Sequence, residues 1–367
     1  MKIGIDTRLP LKEKTGMGYL AQNLVSGMVD ISKKNSDEVT LIGDSIGNYN
    51  NVKYIKLSGI VKRGLNFIWR YLPVPVNLLG KPFDAFLFPN FVDFPVRAKR
   101  KVVIIGDLSF LKYPDFIEKK NRNYLLKYVP KAIQRSDHIL AITQVVKDEI
   151  VEYYGVPEAK ISVMHLAPNK DISFTGNSIE LNRVRDKYGI PDNYFLSVGT
   201  IEPRKNHAVL LEAMAKMKSN TDSRYVLVIA GKKDSDYERL QLLASKLQIE
   251  DRVIFTGYIE EGDFSALYSG SKICIFSSLY EGFGIPVIEA MSCRVPVILS
   301  NIPTFHEIAG ENALYFDPEN AEQLVEKIRL ILENPDLRQN LVDSASSSVK
   351  RFTWERSAQI AYRALFK

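Results

Sequence analysis

The stretch from Lys272 to Ser300, KICIFSSLYEGFGIPVIEAMSCRVPVILS, decides the fold of this chain. It opens with a short run of β-branched and aromatic residues, Ile273 to Ser277, which predicts a buried strand. Pro286 suits the first turn of a helix, because its fixed φ fits there and its missing N–H would have had no partner. The apolar run from Val295 to Ser300 predicts a second strand. We therefore expect one strand, loop, helix, strand unit of a parallel sheet.

Two glutamates follow the first strand of this unit, at the end where parallel sheets bind ligands: Glu281 in the loop and Glu289 on the helix. Gly282 and Gly284 let the backbone approach a ligand closely, and a helix N-terminus favours an anion such as a diphosphate. Because carboxylates repel that anion, the glutamates suit the hydroxyl groups of a nucleotide sugar. The alternative is that Glu281 is a solvated loop charge and that Glu289 is a glutamate of the N-terminal turn, where the helix dipole favours a negative charge.

Two adjacent cations lie in a similar place further upstream. Tyr194–Val198 predicts a strand and Asn206 the start of a helix, so Arg204 and Lys205 lie between a strand end and a helix start. An Arg can bind two oxygens of a diphosphate and a Lys adds a point charge, although a solvated surface pair is the alternative. His207 is predicted to lie on the surface of the helix.

The motif formed by Glu281 and Glu289, with seven residues between them in EGFGIPVIEA, resembles the signature of retaining glycosyltransferases of family 4, which have the GT-B fold. Three further segments occur in the order that this family has them. They are GTIEPRKN (199–206), FTGYI (255–259) and FTWERSA (352–358).

The resemblance implies an α/β protein with two doubly wound Rossmann-like domains facing across a cleft. Residues 1–170 would bind the acceptor, residues 171–351 would bind the nucleotide sugar, and a terminal helix in 352–367 would pack back on the first domain. The polar stretch from Asn169 to Glu180 is the predicted linker.

The same resemblance assigns roles within the site. Arg204 and Lys205 would stabilise charge on the leaving diphosphate, Glu289 would bind the ribose hydroxyls and Glu281 the hexose hydroxyls. The leaving phosphate would take the acceptor proton, so no protein nucleophile is required. The implied donor site comprises Gly16, Gly18, Arg204, Lys205, Tyr258, Ile259, Glu281, Gly282, Phe283, Gly284, Ile285 and Glu289.

The acceptor side departs from the family pattern. Family members commonly have a His-Asp pair at the end of one strand, whereas this chain has Gly106 before Asp107. Asp107 is therefore expected either to act in catalysis, by accepting a hydrogen bond from the acceptor, or to cap the next turn.

Composition limits the remaining possibilities. No apolar run reaches the roughly 18 to 20 residues of a membrane span, and the N-terminus predicts a strand and not a signal peptide. The two cysteines, Cys274 and Cys293, lie in apolar surroundings and predict reduced core residues of a cytoplasmic protein. The four histidines lack ligand spacing, so we expect neither a protein-bound metal nor a cofactor.

Positive charge is concentrated in the first half of the chain, with a net charge of +10 in residues 1–170 and −4 in residues 171–367. Basic residues beside aromatic residues suit an anionic membrane surface at the inner face, or a lipid diphosphate acceptor, although a solvated face is the alternative. No nucleic-acid module accompanies the charge, so nucleic acid is not an expected partner. The two basic clusters are Lys53, Lys56, Lys62, Arg63 and Arg70, and Arg97, Lys99, Arg100 and Lys101.

These observations predict a retaining glycosyltransferase that moves a hexose to a hydroxyl of a glycan or a lipid-linked acceptor. The resemblance to O-antigen and exopolysaccharide enzymes favours mannose from GDP-mannose. The alternatives are a UDP-glucose-type donor, a nucleotide-sugar epimerase and a non-catalytic nucleotide-sugar-binding protein.

Overall fold

The structure is a computed structural model that describes residues 1–7, 16–43, 49, 52–55, 82–217 and 224–366. The chain divides into two compact units. One consists of Met1–Leu166 together with Phe352–Lys367, and the other of Ala167–Arg351.

Unit 1 is built on a parallel sheet. Its described strands are β1 (Lys2–Asp6), β2 (Glu38–Ile42), β3 (Lys53–Ile55), β4 (Phe83–Phe88), β5 (Ala98–Ile105), β6 (His138–Ala141) and β7 (Ile161–Val163). They lie in the order β3, β2, β1, β4, β5, β6, β7, and every pairing is parallel. The connecting helices are α1 (Gly16–Lys34), α2 (Ser109–Lys112), α3 (Lys119–Arg135) and α4 (Gln144–Tyr154).

Unit 2 repeats the same plan. Its described strands are β8 (Tyr194–Val198), β9 (Val226–Ala230), β10 (Val253–Gly257), β11 (Ile273–Phe276), β12 (Val297–Ser300) and β13 (Leu314–Phe316), all parallel and in the order β10, β9, β8, β11, β12, β13. The helices are α5 (Ser178–Tyr188), α6 (His207–Met217), α7 (Tyr237–Lys246), α8 (Phe264–Ser269), α9 (Ile285–Ser292), α10 (Pro303–Ala309), α11 (Ala321–Glu333) and α12 (Pro335–Ser348).

Buried side chains of strands and helices form the core of unit 2. Leu227, Ile229 and Ile275 point from the strands into this core, and Met214 and Leu324 reach it from helices. Because strands of a parallel sheet are covered on both faces, short continuous apolar runs identify them in the sequence.

The last helix, α13 (Trp354–Ala364), belongs to unit 1 although it ends the chain. It packs against α1, where the rings of Tyr19 and Trp354 meet edge to face with centroids 6.0 Å apart. A Cβ atom built on Gly27 would lie 2.6 Å from the Cβ atom of Ala358, so the two helices approach closely only because Gly27 has no side chain.

We therefore expect Gly27→Ala to lower the free energy of unfolding by about 1 kcal/mol. Overpacking costs roughly 1 to 3 kcal/mol, which exceeds the gain of about 1 kcal/mol from the higher helix propensity of alanine. Urea unfolding measures this difference. Gly262→Ala is the control, because a Cβ atom at that position meets no atom within 4 Å. Equal stability of the two variants would contradict the prediction.

The predicted fold class of two parallel α/β units is confirmed, and several boundaries differ. The helical pattern of Leu20, Leu24, Val25 and Met28 predicts that Gly16 and Gly18 lie just before the first helix, but α1 begins at Gly16 and so includes both. The predicted linker ends in helix α5, which begins at Ser178. In the described part of the chain, no helix combines the length and the apolar character needed to cross a bilayer.

The structure describes the two predicted basic clusters only in part. Most of the first, from Lys56 onward, lies outside the described residues. The second lies in or next to strand β5, where Lys99 pairs with Asp84 at 2.8 Å and Arg100 Nε donates to the Ala364 carbonyl at 2.8 Å. These two side chains therefore have structural partners within unit 1.

Candidate active site

The order of strands in unit 2 reverses between β8 and β11, which lie side by side. From β8 the chain continues outward to β9 and β10, and then returns to β11 on the other side. Ligands of open parallel sheets bind beside the carboxyl ends of the strands at such a point. The loops that leave β8 and β11 carry Arg204 and Lys205, and Glu281, respectively.

The first of these loops is tightly constrained. A Cβ atom on Gly231, which follows β9, would lie 2.0 Å from the carbonyl oxygen of Gly199, so only glycine fits there. Arg204 and Lys205 end a short 3-10 turn, and Asn206 then takes the left-handed conformation with φ 51°. Left-handed backbone suits Asn better than most residues.

Glu281 joins the two loops through its carboxylate. Oε2 accepts a hydrogen bond from Arg204 Nη1 at 2.9 Å, and Oε1 accepts from Lys205 Nζ at 2.5 Å and from Ser278 Oγ at 2.7 Å. Arg204 also donates to the carboxylate of Glu202 at 2.6 Å. The structure therefore brings together three residues that the sequence placed in the site, Arg204, Lys205 and Glu281.

The charge of Glu281 is fixed by these neighbours. Burial alone disfavours a carboxylate, but the charges of Arg204 and Lys205 and the hydrogen bonds of Lys205 and Ser278 outweigh it and lower its pKa to about 2. Glu281 is 9% exposed and ionised throughout the physiological range. The predicted alternative of a solvated loop charge is therefore wrong, because the carboxylate is buried and paired.

Two hydrogen bonds to backbone carbonyls connect the two loops. The Leu279 N–H donates to the Arg204 carbonyl at 2.9 Å, and Ser277 Oγ donates to the Lys205 carbonyl at 2.8 Å. The two cations are therefore held in place before any ligand arrives. Such preorganised groups stabilise developing charge without reorganisation during the reaction.

The second loop ends at the N-terminus of α9. Gly284 precedes the helix with φ 105°, a conformation that residues with a side chain rarely adopt, and a Cβ atom there would lie 3.1 Å from the ring of Phe305. Pro286 occupies the first turn, as predicted. Thr304 Oγ1 donates to the carbonyl of Glu281 at 2.7 Å and so anchors the loop to helix α10.

Glu289 is also buried, but the hydrogen-bond donors that it meets among the described residues are uncharged. Oε2 accepts from Tyr268 Oη at 3.1 Å and Oε1 accepts from the Asn169 N–H at 3.4 Å. Burial raises its pKa to about 7, and these two hydrogen bonds only partly oppose that rise. The two glutamates of the motif therefore differ in charge: Glu281 stays ionised, whereas Glu289 titrates near neutral pH.

The other predicted donor residues of unit 2 lie in loops around the same sheet edge. Gly282 and Phe283 are buried in the loop of Glu281, and Ile285 begins α9. Tyr258 and Ile259 follow strand β10, where Tyr258 is 63% exposed and Ile259 is buried. Their predicted contacts with the nucleotide remain predictions.

Three predicted residues, Gly16, Gly18 and Asp107, belong to unit 1. Asp107 Oδ1 accepts hydrogen bonds from the Ser109 N–H at 2.9 Å and from Ser109 Oγ at 2.6 Å. Asp107 thus makes the turn-capping contact that the sequence offered as one of its two roles.

The prediction for His207 was wrong. This residue begins α6 and is 1% exposed, and its Nδ1 has no hydrogen-bond partner within the described residues. Burial, with the charge of Lys205 nearby, lowers its pKa to about 3, so the imidazole is neutral. The sequence signal was present, since α6 is apolar around most of its circumference and such helices are buried.

Metal ligands and reactive thiols do not form part of the described site. The described residues contain no group of three or more His, Cys, Asp or Glu side chains arranged to hold a metal ion. Cys274 and Cys293 are buried free thiols, and burial raises the pKa of Cys274 to about 12. Neither is therefore poised as a nucleophile.

Comparison with known proteins places this site in a family. Residues 182–348 match the family model described as glycosyl transferases group 1. O-antigen chain mannosyltransferase B of Escherichia coli is 30% identical over 268 residues, which cover 73% of this chain and 70% of that protein. O-antigen chain mannosyltransferase RfbU of Salmonella typhimurium is 30% identical over 263 residues, covering 71% and 68%.

Solved structures support the fold. A sucrose-phosphate synthase from Thermosynechococcus elongatus superposes with a TM-score of 0.76 at 20% identity and covers 100% of this chain and 99% of its own. Its GT-B architecture agrees with the two parallel sheets described above. The identity to two curated enzymes over about 70% of the length of each establishes the relationship, and the chain therefore belongs to the group 1 glycosyl transferases, as a glycosyltransferase of GT-B fold.

Proposed function

We propose that this glycosyltransferase moves mannose from GDP-mannose to a hydroxyl of a glycan or lipid-linked acceptor, with retention of anomeric configuration. The observation that carries the proposal is the cluster of Arg204, Lys205 and Glu281 at the point where the strand order reverses. The mannosyltransferase names of the relatives support the choice of sugar. The acceptor would be part of a cell-surface polysaccharide.

Arg204 and Lys205 bind the diphosphate in this scheme. Lys205 Nζ carries three protons, of which Glu281 accepts one in the described part of the chain. The remaining protons can bind phosphate oxygens, and the N-terminus of α9 adds its dipole. Together these groups stabilise the charge that develops as the bond between the anomeric carbon and the β-phosphate oxygen breaks.

Glu281 has acceptor capacity left for the hexose. A carboxylate offers about four lone-pair sites, and Arg204, Lys205 and Ser278 occupy three of them. One site thus remains for a sugar hydroxyl. Glu281 therefore both orients the cations and positions the hexose.

Glu289 binds the ribose hydroxyls when it is ionised, and Tyr258 and Ile259 border the base. The acceptor oxygen forms the new bond to the anomeric carbon on the face that the phosphate leaves, and its proton passes to the leaving phosphate. Atoms and charge balance without a protein nucleophile. Unit 1 binds the acceptor in this proposal, with Asp107, and its positive charge suits peripheral binding to an anionic membrane.

A thermal-shift panel with GDP, UDP, ADP and their sugar conjugates tests the donor. A ligand at about 100 times its Kd stabilises the folded protein by roughly 2.7 kcal/mol, which gives a measurable rise in Tm. We expect a rise with GDP and GDP-mannose, and we expect Arg204→Ala to abolish it because the guanidinium no longer binds the diphosphate. Asp107→Asn, in unit 1, is the control and should retain the rise.

The other outcomes separate the alternatives. A rise with UDP alone would move the donor to a UDP-hexose, and no rise with any nucleotide would overturn the proposal. Conversion of the donor sugar without an acceptor would identify an epimerase.

A further inference from the structure

All charged residues of helix α3 are positive. Its sequence, KKNRNYLLKYVPKAIQR, contains six Lys and Arg residues and no Asp or Glu. Within unit 1, which accounts for the positive charge of the chain, α3 is thus a compact source of positive potential. It is separate from the two basic clusters that the sequence predicts.

The charges of α3 are arranged along its outer face. Val129, Ala132 and Ile133 are buried on the inner side. Lys120, Lys127 and Lys131 are exposed, and their separations of seven and eleven residues place them within about 40° of one another around the helix. They form a row about 17 Å long, at 1.5 Å per residue. We call these three side chains and their helix surface the α3 row.

Aromatic side chains flank the α3 row on one side. The rings of Tyr124 and Tyr128 lie 4.8 Å apart, and the Nζ atoms of Lys127 and Lys131 lie 5.3 Å and 5.7 Å from the centroid of the Tyr128 ring. Lysines beside half-buried tyrosines are typical of a helix that lies at a membrane interface.

We propose that the α3 row docks the enzyme on an anionic phospholipid bilayer. The row lies on one face and is of one sign, so several lysines can meet a layer of anionic headgroups at once. This inference rests on the proposed function and deepens it, because an enzyme that acts on a lipid-linked acceptor must work at the bilayer surface. The inner face of α3 stays packed in unit 1, so docking requires no unfolding.

Co-sedimentation of the full chain with vesicles tests the proposal. The vesicles contain phosphatidylcholine alone, or phosphatidylcholine with about one third phosphatidylglycerol. We expect binding to the anionic vesicles only, and loss of binding at high salt because surface charges are then screened. The triple variant Lys120→Gln, Lys127→Gln, Lys131→Gln should bind about a hundredfold more weakly, since each lysine near an anionic surface contributes roughly fivefold.

The control variant removes three exposed cations of unit 2, by Lys246→Gln, Arg338→Gln and Lys350→Gln. It has the same net charge as the α3 variant and should bind like the wild type. An equal loss in both variants, an unchanged α3 variant, or a wild type that ignores anionic vesicles would each overturn the proposal. The proposal would also be overturned if the α3 variant lost binding to a soluble polyanion such as heparin but still bound anionic vesicles.

Two further readouts keep this test separate from that of the donor site. An unchanged Tm shows that the α3 variant is folded, and an unchanged rise in Tm with GDP shows that donor binding is intact. If the wild type binds anionic vesicles but no nucleotide, the proposed function fails while the docking surface stands.

Discussion

Glu281→Gln is expected to lower the free energy of unfolding by about 3 kcal/mol at pH 7. The folded protein holds the pKa of Glu281 at about 2, against an ordinary value of 4.5, and each pKa unit corresponds to about 1.4 kcal/mol. Because the folded pKa is lowered, this stability is present above pH 4.5 and is lost as the pH falls towards 2. Glutamine has the same shape but leaves Arg204 and Lys205 without their shared counter-charge.

The same substitution should reduce kcat by about a hundredfold or more, because the two cations lose the group that orients them and, in the proposed scheme, the hexose would lose a hydrogen-bond acceptor. Urea unfolding between pH 4 and pH 8 measures the stability, and steady-state transfer measures kcat. The difference in stability between Glu281→Gln and the wild type should be constant above about pH 5 and should shrink below it.

Glu202→Gln is the matched control. Glu202 also pairs with Arg204, at 2.6 Å, but its side chain is 28% exposed, against 11% for Glu281. A more exposed ion pair contributes less, so we expect a loss below about 1 kcal/mol. If Glu202→Gln and Glu281→Gln cost the same, the buried position of Glu281 would not be the source of its effect.

The sequence predicted the elements of this site better than their contacts. Short apolar runs located β8 and β11, and the residues after them were expected at the carboxyl ends of a sheet. That Glu281 bonds to both cations was not predictable, because the contacts join residues 76 and 77 positions apart. They form only because β8 and β11 are neighbours in the sheet, and apolar runs do not specify strand order.

The burial of polar side chains is the second feature that could not be predicted from the sequence. Glu289 fits the pattern of a helix residue near the N-terminus, yet burial raises its pKa. The hydrogen bond that partly opposes this rise comes from Tyr268, which lies 21 residues earlier in helix α8. His207 was misplaced for the same reason, since its neighbours in the chain do not show what covers it. Residue type and spacing thus predict which groups gather at a sheet edge, whereas protonation follows from tertiary packing.

Glu289→Gln is expected to have the opposite effect on stability, and to depend on pH in the opposite direction. The folded pKa of Glu289 is about 7, above its ordinary value of 4.5. Its contribution is therefore fully present below pH 4.5 and is lost as the pH rises through 7. The glutamine variant, which cannot ionise, should match the wild type near pH 4 and exceed it by about 3 kcal/mol above pH 8 when no ligand is bound.

The pH dependence of GDP binding tests whether the charge of Glu289 contributes to ligand affinity. Ribose hydroxyls donate best to an ionised carboxylate, so the affinity of the wild type for GDP should rise between pH 6 and pH 8. The rise should be smaller in Glu289→Gln, where only the last ionisation of the GDP phosphate, at about pH 6, contributes. The neighbouring hydroxyl of Tyr268 and thiol of Cys293 have raised pKa values and remain neutral in this range, so Glu289 is the member of these three that titrates.

Tyr268→Phe tests whether the pH dependence of GDP binding comes from the carboxyl group of Glu289. The Tyr268 hydroxyl donates to Glu289 and favours its ionised form, so its removal should raise the pKa of Glu289 and move the midpoint of the GDP affinity curve to higher pH. Calorimetric titration with GDP across the pH range measures that midpoint. A flat curve in the wild type, or a midpoint that Tyr268→Phe does not move, would contradict this account. A buried acid that costs stability at neutral pH is retained when its charge serves the ligand.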